Sequence, residues 1–307
     1  MNSLLNNIFS RSSNQAKPKY PDGVLTGDKN KLYFEVIDLT LSLDIDTDRK
    51  ISRLLLERYS SLLSLKARFG ESFLVERAES SLLVSVEEIV FNVCNAVDFF
   101  ILDEVFVQRV YDFRYSSSCV VIDIGMNVGI ASLFFARNNN VVQVHGFEPA
   151  KDTLSLAKHN FGLNPELAAK IESYPYGLCS GSSRNESFIY NTKNPGSFGL
   201  VGQNKFKAQN HDTIEVRLES AHEALATICE GVSENDLLVV KIDCEGCEYE
   251  VIPELMRLKR QPELIMAEWH LGRGEDLVAT LQENDYVVIF NQTERTAGII
   301  YANRPPL

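Results

Sequence analysis

Read for apolar and polar positions alone, the chain changes character several times. Residues 1–30 carry Asn, Ser, Lys, Pro and Gly with little period and end in the turn signals PDG and GDKN, so they are expected to be a poorly ordered tail with one short helix over Leu4–Phe9. An extended apolar segment runs from Leu32 to Leu43. Asp46, Thr47 and Asp48 then offer caps for ISRLLLERYSSLLSLKARFG, where Ile51, Leu54, Leu55, Tyr59, Leu62, Leu63 and Leu65 fall close to one helical face. SFLVERA and SLLVSVEE alternate as a hairpin-like pair, and FNVCNAVDFFILDEVFVQRVYDF reads as a helix entering the next region. Residues 31–118 are therefore expected to form a small α+β lobe.

From residue 119 the pattern becomes regular. The apolar run Cys119–Ile124 ends in Gly125 and is followed at once by an apolar-periodic segment, which predicts strand, tight turn and helix. VVQVHGFEP is the next strand, and KDTLSLAKHNFGLNP a helix stopped near Gly162 and Pro165. KIESYPYGLCS and SSRNESFIY are strand-like, and residues 191–212 read as a long loop. IEVRL is a strand and SAHEALATICEG a helix. LLVVKIDCEG repeats strand, acid and Gly turn before the helix CEYEVIPEL. PELIMAEWH, a helix over EDLVATLQEN, and the strands YVVIFNQ and AGIIYANR complete the chain. Alternating strands and helices ending in two consecutive strands predict a doubly wound, mostly parallel α/β sheet with an antiparallel pair at its end.

Composition narrows the function classes. The 307 residues are 45% hydrophobic, enough for a sizeable core, and carry 30 Lys plus Arg against 42 Asp plus Glu. The resulting charge of −12 opposes binding to nucleic acid or an anionic bilayer. No apolar run is long enough to span a membrane, and a cytoplasmic location is expected. Cysteines at 94, 119, 179, 229, 244 and 247 are scattered and form no disulfide framework, as suits a reducing compartment. Cys244 and Cys247 make a C-x-x-C, but its acidic surroundings disfavour a reactive thiolate and no second pair completes a zinc ribbon.

The chemistry concentrates at strand ends. A Gly turn between strand and helix brings bare backbone to the carboxyl edge of the sheet, where open α/β folds bind ligands. Here the turn reads Asp123-x-Gly125-x-Asn127-x-Gly129, and its acid suits a cation better than a diphosphate. Glu148, 23 residues beyond Gly125 at the tip of the second strand, is placed to accept hydrogen bonds from two ribose hydroxyls. Together they resemble the pattern of sites for S-adenosylmethionine (SAM), whose sulfonium and ammonium are both positive. An NAD-dependent oxidoreductase would use the same strand-end acid but lacks the third fingerprint glycine, and a non-catalytic SAM-binding protein would keep only the turn.

VVIDIGMNVG at 120–129, FEP at 147–149, HNFGLN at 159–164, VVKIDCEGCE at 239–248 and MAEWH at 266–270 occur in an order that resembles the FkbM family of SAM-dependent methyltransferases. The resemblance extends upstream to FVQRVYDF and covers about residues 100–303. It implies a seven-stranded class I methyltransferase sheet over residues 119–307 and methyl transfer to a hydroxyl oxygen of a small-molecule or glycan acceptor. It departs from the family at Met126, where a small residue is usual, and at Leu218-Glu219, where an LD pair is usual. By the same analogy Asp123, Gly125, Asn127 and Gly129 surround the methionine part of SAM and Glu148 holds the ribose.

Asp243 and Glu245, after the fourth strand of that sheet, and Glu268 and His270, at the end of the fifth, are expected to face the crevice, the last two sharing a face as i and i+2. This set reads as general base, divalent-cation site or hydrogen-bonders of a sugar-like acceptor. It is assigned to catalysis, and no metal ligand is assigned. His145 reads as a core histidine, and His211 as a loop residue able to reach the acceptor. The loop itself, with Gly196, Gly199, Gly202, Phe198 and Phe206, reads as a lid over the site or as a linker.

Overall fold

A computed structural model describes residues 20–26, 30–191 and 211–304. Loop residues 192–210 and the short helix over 4–9 lie outside them. The chain begins with a three-stranded antiparallel sheet, β1 (Val24–Thr26), β2 (Lys31–Phe34) and β3 (Leu39–Ser42). Part of the expected tail is thus a strand, because Val24–Thr26 pairs with Leu32–Phe34 and buries Val24. The single helix expected from residue 51 is two, α1 (Asp46–Glu57) and α2 (Tyr59–Phe69), broken at Arg58. Asp48 does not cap. It accepts from Ser42 N–H and pairs with Arg77 at 2.6 Å.

A second antiparallel sheet follows, β4 (Phe73–Arg77), β5 (Leu82–Val86) and β6 (Ile89–Val93), so FNV of the expected helix is instead the end of a strand. Helix α3 (Ala96–Leu102) starts only after Asn95, whose capping box with Asp98 satisfies the first N–H groups. It passes into a π-helical turn over Asp103–Gln108 that ends at Arg109 in the left-handed region.

The main sheet is doubly wound. β7 (Cys119–Ile124), α4 (Ile130–Ala136), β8 (Val141–Phe147), α5 (Lys151–Leu163), α6 (Pro165–Ala168) and β9 (Ile171–Tyr174) form its first half. β10 (Gly177–Cys179), β11 (Arg184–Asn191) and β12 (His211–Ser220) make a separate small sheet, ordered β10-β12-β11, followed by α7 (Ala221–Gly231). Then come β13 (Leu237–Ile242), α8 (Glu248–Met256), β14 (Leu264–Trp269), α9 (Gly274–Gln282), β15 (Val287–Glu294) and β16 (Ala297–Asn303). The seven-stranded order is β15-β16-β14-β13-β7-β8-β9, with β16 alone antiparallel to its neighbours.

Alternation sets the two faces. Cys119 and Val121 join the core under α4 and α5, whereas Val120, Ile122 and Ile124 join the core under α7, α8 and α9. Burial on both faces is why these strands read as continuous apolar runs. The first core continues without a break into the N-terminal segment, where Phe106 packs edge-on against Phe134 at 5.3 Å. Two asparagines of HNFGLN make the polar seam. Asn160 accepts from Asn92 N–H and donates to Val128 O, each at 2.8 Å, and Asn164 bonds both backbone groups of Val90. Helix α7 starts after Ser220, whose hydroxyl accepts from Glu223 N–H, so Leu218-Glu219 is strand and the cap lies one residue later.

Candidate active site

Order reverses between β7 and β13, where a ligand crevice opens at the carboxyl edge of such a sheet. The turn after β7 is built for close approach. Gly125 lies at φ +80°, and a Cβ there would stand 1.8 Å from the Asp243 carbonyl oxygen. Asn127 is left-handed at φ 52°. Gly129, at φ +82°, instead makes room for the Phe161 ring of α5. The unusual Met126 is buried beneath Gly146, where any Cβ would strike its sulfur.

Two hollows meet at this turn. The larger holds about 90 Å³ of space for water-sized atoms and continues into open solvent at its mouth. Gly125, Asn127, Glu148, Thr153, Leu178 and Phe188 are among its walls, as are Asp243, Glu245 and Glu250. The smaller lies on the other side, between the turn, Glu104, Tyr111, Lys241 and Asp243.

Glu148 is buried, its Oε2 accepting from Asn127 N–H at 3.0 Å and its Oε1 from Ala150 N–H at 2.8 Å. Burial outweighs these bonds and pushes its pKa up to about 7. Each oxygen keeps a second lone pair. Asn127 Oδ1 and Thr153 Oγ1, both on the cleft wall, are buried without hydrogen-bond partners.

Asp123 is not on the cleft wall. It is fully buried, accepts from Ser132 Oγ at 2.6 Å and pairs with Lys241 Nζ at 3.0 Å. Lys241 also donates to Gly125 O at 2.7 Å and lies 3.7 Å from Asp243. Burial works against its charge, but Asp123 and Asp243 prevail and raise its pKa. Asp123 and Gly129 therefore shape the turn from behind, while Gly125, Asn127 and Glu148 face the space.

Asp243, Glu245, Glu268 and His270 do come together, but of the four expected to face the crevice only Asp243 and Glu245 are among the walls of the larger hollow. His270 Nε2 lies 3.6 Å from Glu245 and 3.8 Å from Glu268, and Asp243 Oδ2 accepts from the Tyr111 hydroxyl at 3.3 Å. Glu248, wholly buried in the first turn of α8, organises them. It accepts from His270 N–H at 2.9 Å and Gly246 N–H at 2.7 Å, and its Oε1 is 3.1 Å from His270 Nδ1. Burial would lower the His270 pKa, but the bond to Glu248 and the surrounding carboxylates raise it to about 9. Burial and then Asp243 raise Glu268, and burial lifts Glu245 and Glu104 to about 7 each.

The cysteines form no framework, but the C-x-x-C makes a local bridge that its sequence did not announce. Cys244 and Cys247 are joined by a disulfide, because left-handed Glu245 and Gly246 at φ 121° fold the turn back and bring the two Cα atoms to 5.5 Å. His145 is half-buried rather than enclosed in the core, hydrogen-bonded to the Tyr174 hydroxyl at 3.0 Å and 3.6 Å from Glu172. His211 opens β12, not a loop.

Sequence reasoning missed Lys241, Tyr111, Glu104 and Thr153. Lys241 left a signal: a lysine inside the apolar strand VVKI, which a strand buried on both faces accepts only when the charge is paired.

A doubly wound sheet whose cleft straddles the strand-order reversal, with one antiparallel strand near its edge, is the Rossmann-like fold of class I methyltransferases. The chain belongs to the FkbM methyltransferase family, whose domain description, "Methyltransferase FkbM domain", matches residues 123–288, just over half of the chain. It is 27% identical over 177 residues to Methyltransferase sdnD of Sordaria araneosa, covering 50% of this chain and 67% of that protein. It is 24% identical over 166 residues to Methyltransferase 1 of Beauveria bassiana, covering 50% of this chain and 65% of that protein. The chain thus spans about two thirds of the length of these curated relatives. Among solved structures, methyltransferase FkbM from Methylobacillus flagellatus KT aligns at TM-score 0.42 and 15% identity over 84% of this chain and 60% of that one. The protein is a methyltransferase. Among the described residues, no helix is long and apolar enough to cross a membrane.

Proposed function

We propose that this methyltransferase uses SAM and transfers methyl to a hydroxyl oxygen of a sugar, lipid or small metabolite. The observation that carries the reading is the pair of partnerless oxygens, Asn127 Oδ1 and Thr153 Oγ1, in the same cleft wall as Glu148 and as Asp243 and Glu245 of the acid–histidine cluster. Buried polar atoms left unpaired are costly, and a ligand with an ammonium and hydroxyl groups supplies the missing donors. When bound, SAM supplies an electrophilic methyl on a sulfonium.

The remaining work falls to the chain. Glu148 accepts from the two ribose hydroxyls with its free lone pairs. Asn127 accepts from the methionine ammonium, and Gly125 lets the backbone approach. Lys241, held by Asp123, keeps the turn and Asp243 in register. Asp243, Glu245, Glu268 and His270 orient the acceptor hydroxyl and take its proton. The negative cluster also favours a cationic cofactor over NAD.

The test is calorimetric titration with SAM and S-adenosylhomocysteine, followed by incubation with methyl-labelled SAM and fractionated glycans, lipids and metabolites. Tight binding with label appearing in an ether linkage is expected. Label on nitrogen or carbon, or binding of NADH in preference to SAM, would overturn it.

A further inference from the structure

We propose that Asp243, Glu268 and His270 bind one divalent cation of the kind that prefers oxygen with a single nitrogen, Mn²⁺ or Mg²⁺. One ligand atom from each of the three lies within 4.8 Å of the others. Ligands around such an ion at about 2.1 Å sit roughly 3–4 Å apart, so small rotamer adjustments close the set.

The support around these groups is what distinguishes them from a chance gathering of acids. His270 is only 12% exposed, and its Nδ1 is tied to the buried Glu248, which also holds its backbone N–H. A carboxylate on one ring nitrogen fixes the ring's orientation, so that an ion displacing the proton of the other nitrogen meets a lone pair already aimed at it. That other nitrogen, Nε2, faces Glu245 and Glu268 at 3.6 and 3.8 Å, too far for hydrogen bonds yet close enough to share an ion. Asp243 is steadied by the Tyr111 hydroxyl, and its backbone N–H is anchored on Ile124 O at 2.9 Å. Glu268 projects from β14 beside Trp269, which is locked by its stack on Phe290 at 5.2 Å.

Charge points the same way. Asp243, Glu245, Glu248 and Glu268 converge where His270 and Lys241 are the basic neighbours, and Lys241 already pairs with Asp123. Two carboxylates with one imidazole match oxygen-preferring to borderline divalent ions. The set also extends the sequence reading, which assigned these residues to catalysis without a metal. Resting on the O-methyl transfer reading, the ion's task is to hold the acceptor oxygen and lower the pKa of its hydroxyl. The site itself stands without that reading.

The test uses the full chain stripped with EDTA and titrated with Mn²⁺ alone at near-neutral pH, with free ion read by electron paramagnetic resonance. One ion per chain is expected, bound about tenfold or more weakly in Glu268→Gln and His270→Ala and unchanged in Glu166→Gln, an exposed acid on α6. A nitrogen coupling to bound Mn²⁺ in the pulsed spectrum should be present in the wild type and in Glu166→Gln. It decides the matter should His270→Ala fail to fold. Absence of stoichiometric binding, absence of the nitrogen coupling, or equal affinity in Glu268→Gln overturns the site. S-adenosylhomocysteine is titrated in EDTA in parallel. Its binding without Mn²⁺ binding rejects the cation and leaves the cofactor reading, and the reverse rejects the cofactor reading alone.

Discussion

The ribose assignment of Glu148 has a pH signature that mutation alone does not give. Its two oxygens already accept backbone N–H groups from Asn127 and Ala150, so Glu148→Ala would strip two buried donors and damage the turn along with the ligand contact. Titration leaves those bonds in place. Two ribose hydroxyls require both remaining lone pairs, hence the ionised carboxylate, and burial has raised its pKa to about 7 in the ligand-free cleft. With that value roughly a tenth of the protein is ionised at pH 6 and nine tenths at pH 8, so affinity should climb about tenfold between them and level off above. Adenosine is the right probe, because it carries the ribose and no group that titrates in this range. Calorimetry in matched buffers should also show proton release on binding near pH 6. Glu148→Gln keeps one acceptor and removes the titration, so its profile should be flat and its affinity weaker by on the order of 1.5–3 kcal/mol. A flat profile in the wild type, or the same rise in Glu148→Gln, would refute the assignment.

The ligand-free fold should lose stability as pH rises. Glu148, Glu245 and Glu104 are raised from an ordinary 4.5 to about 7, so the folded state holds protons that the unfolded state has released, and their contribution falls between about pH 4.5 and 7. His270, raised from 6.5 to about 9, extends the loss over that higher interval. Chemical denaturation from pH 5 to 9 should show a decline that is shallower in the Glu148→Gln, Glu245→Gln double variant, and an equal slope in both would refute these shifts. Gly125→Ala should destabilise more than Gly129→Ala, because its Cβ meets the Asp243 carbonyl rather than a ring that can tilt, and both carry a left-handed penalty of about 1 kcal/mol. Equal unfolding midpoints would contradict this. Lys241→Met leaves Asp123 buried without its cation and should cost about 3–5 kcal/mol, with Asp123→Asn recovering much of it in the double variant. Additive losses in that cycle would mean that the two residues are not a pair.

The sheet was legible because its central strands are largely buried on both faces and so read as near-continuous apolar runs, while each turn needs an acid or glycine that stands out against them. That is why Cys119–Ile124 and the strand ending in Asp243 were read to within a residue. Glu245, Glu268 and His270 were legible as a group for the same reason, since strand ends at one edge of a parallel sheet converge. The N-terminal segment was less so. Its boundaries depend on pairings distant in sequence, such as Val24–Thr26 with Leu32–Phe34 and the edge of β6 with Asn160 and Asn164, which no local pattern announces. The disulfide escaped because charge was weighed at Cys244 and Cys247, whereas backbone shape at Glu245 and Gly246 decided the outcome.

What most separates this site from a generic turn is how the N-terminal segment enters it. Tyr111 donates to Asp243, Glu104 from the π-helical turn lines the smaller hollow, and Asn160 holds Val128 in the turn while accepting from Asn92 on β6. A π-turn shifts the register of the helix that carries it and so re-aims side chains, which is why such turns gather at functional sites. Here it occupies Asp103–Gln108, the stretch that includes Glu104. The continuous core from Phe91 through Phe106 to Phe134 then fixes its position relative to α4 and the Gly125 turn. Because packed cores resist small displacements, the N-terminal segment and the strand ends set the position of Asp243 jointly, and neither the turn nor the cluster is complete without residues from before β7.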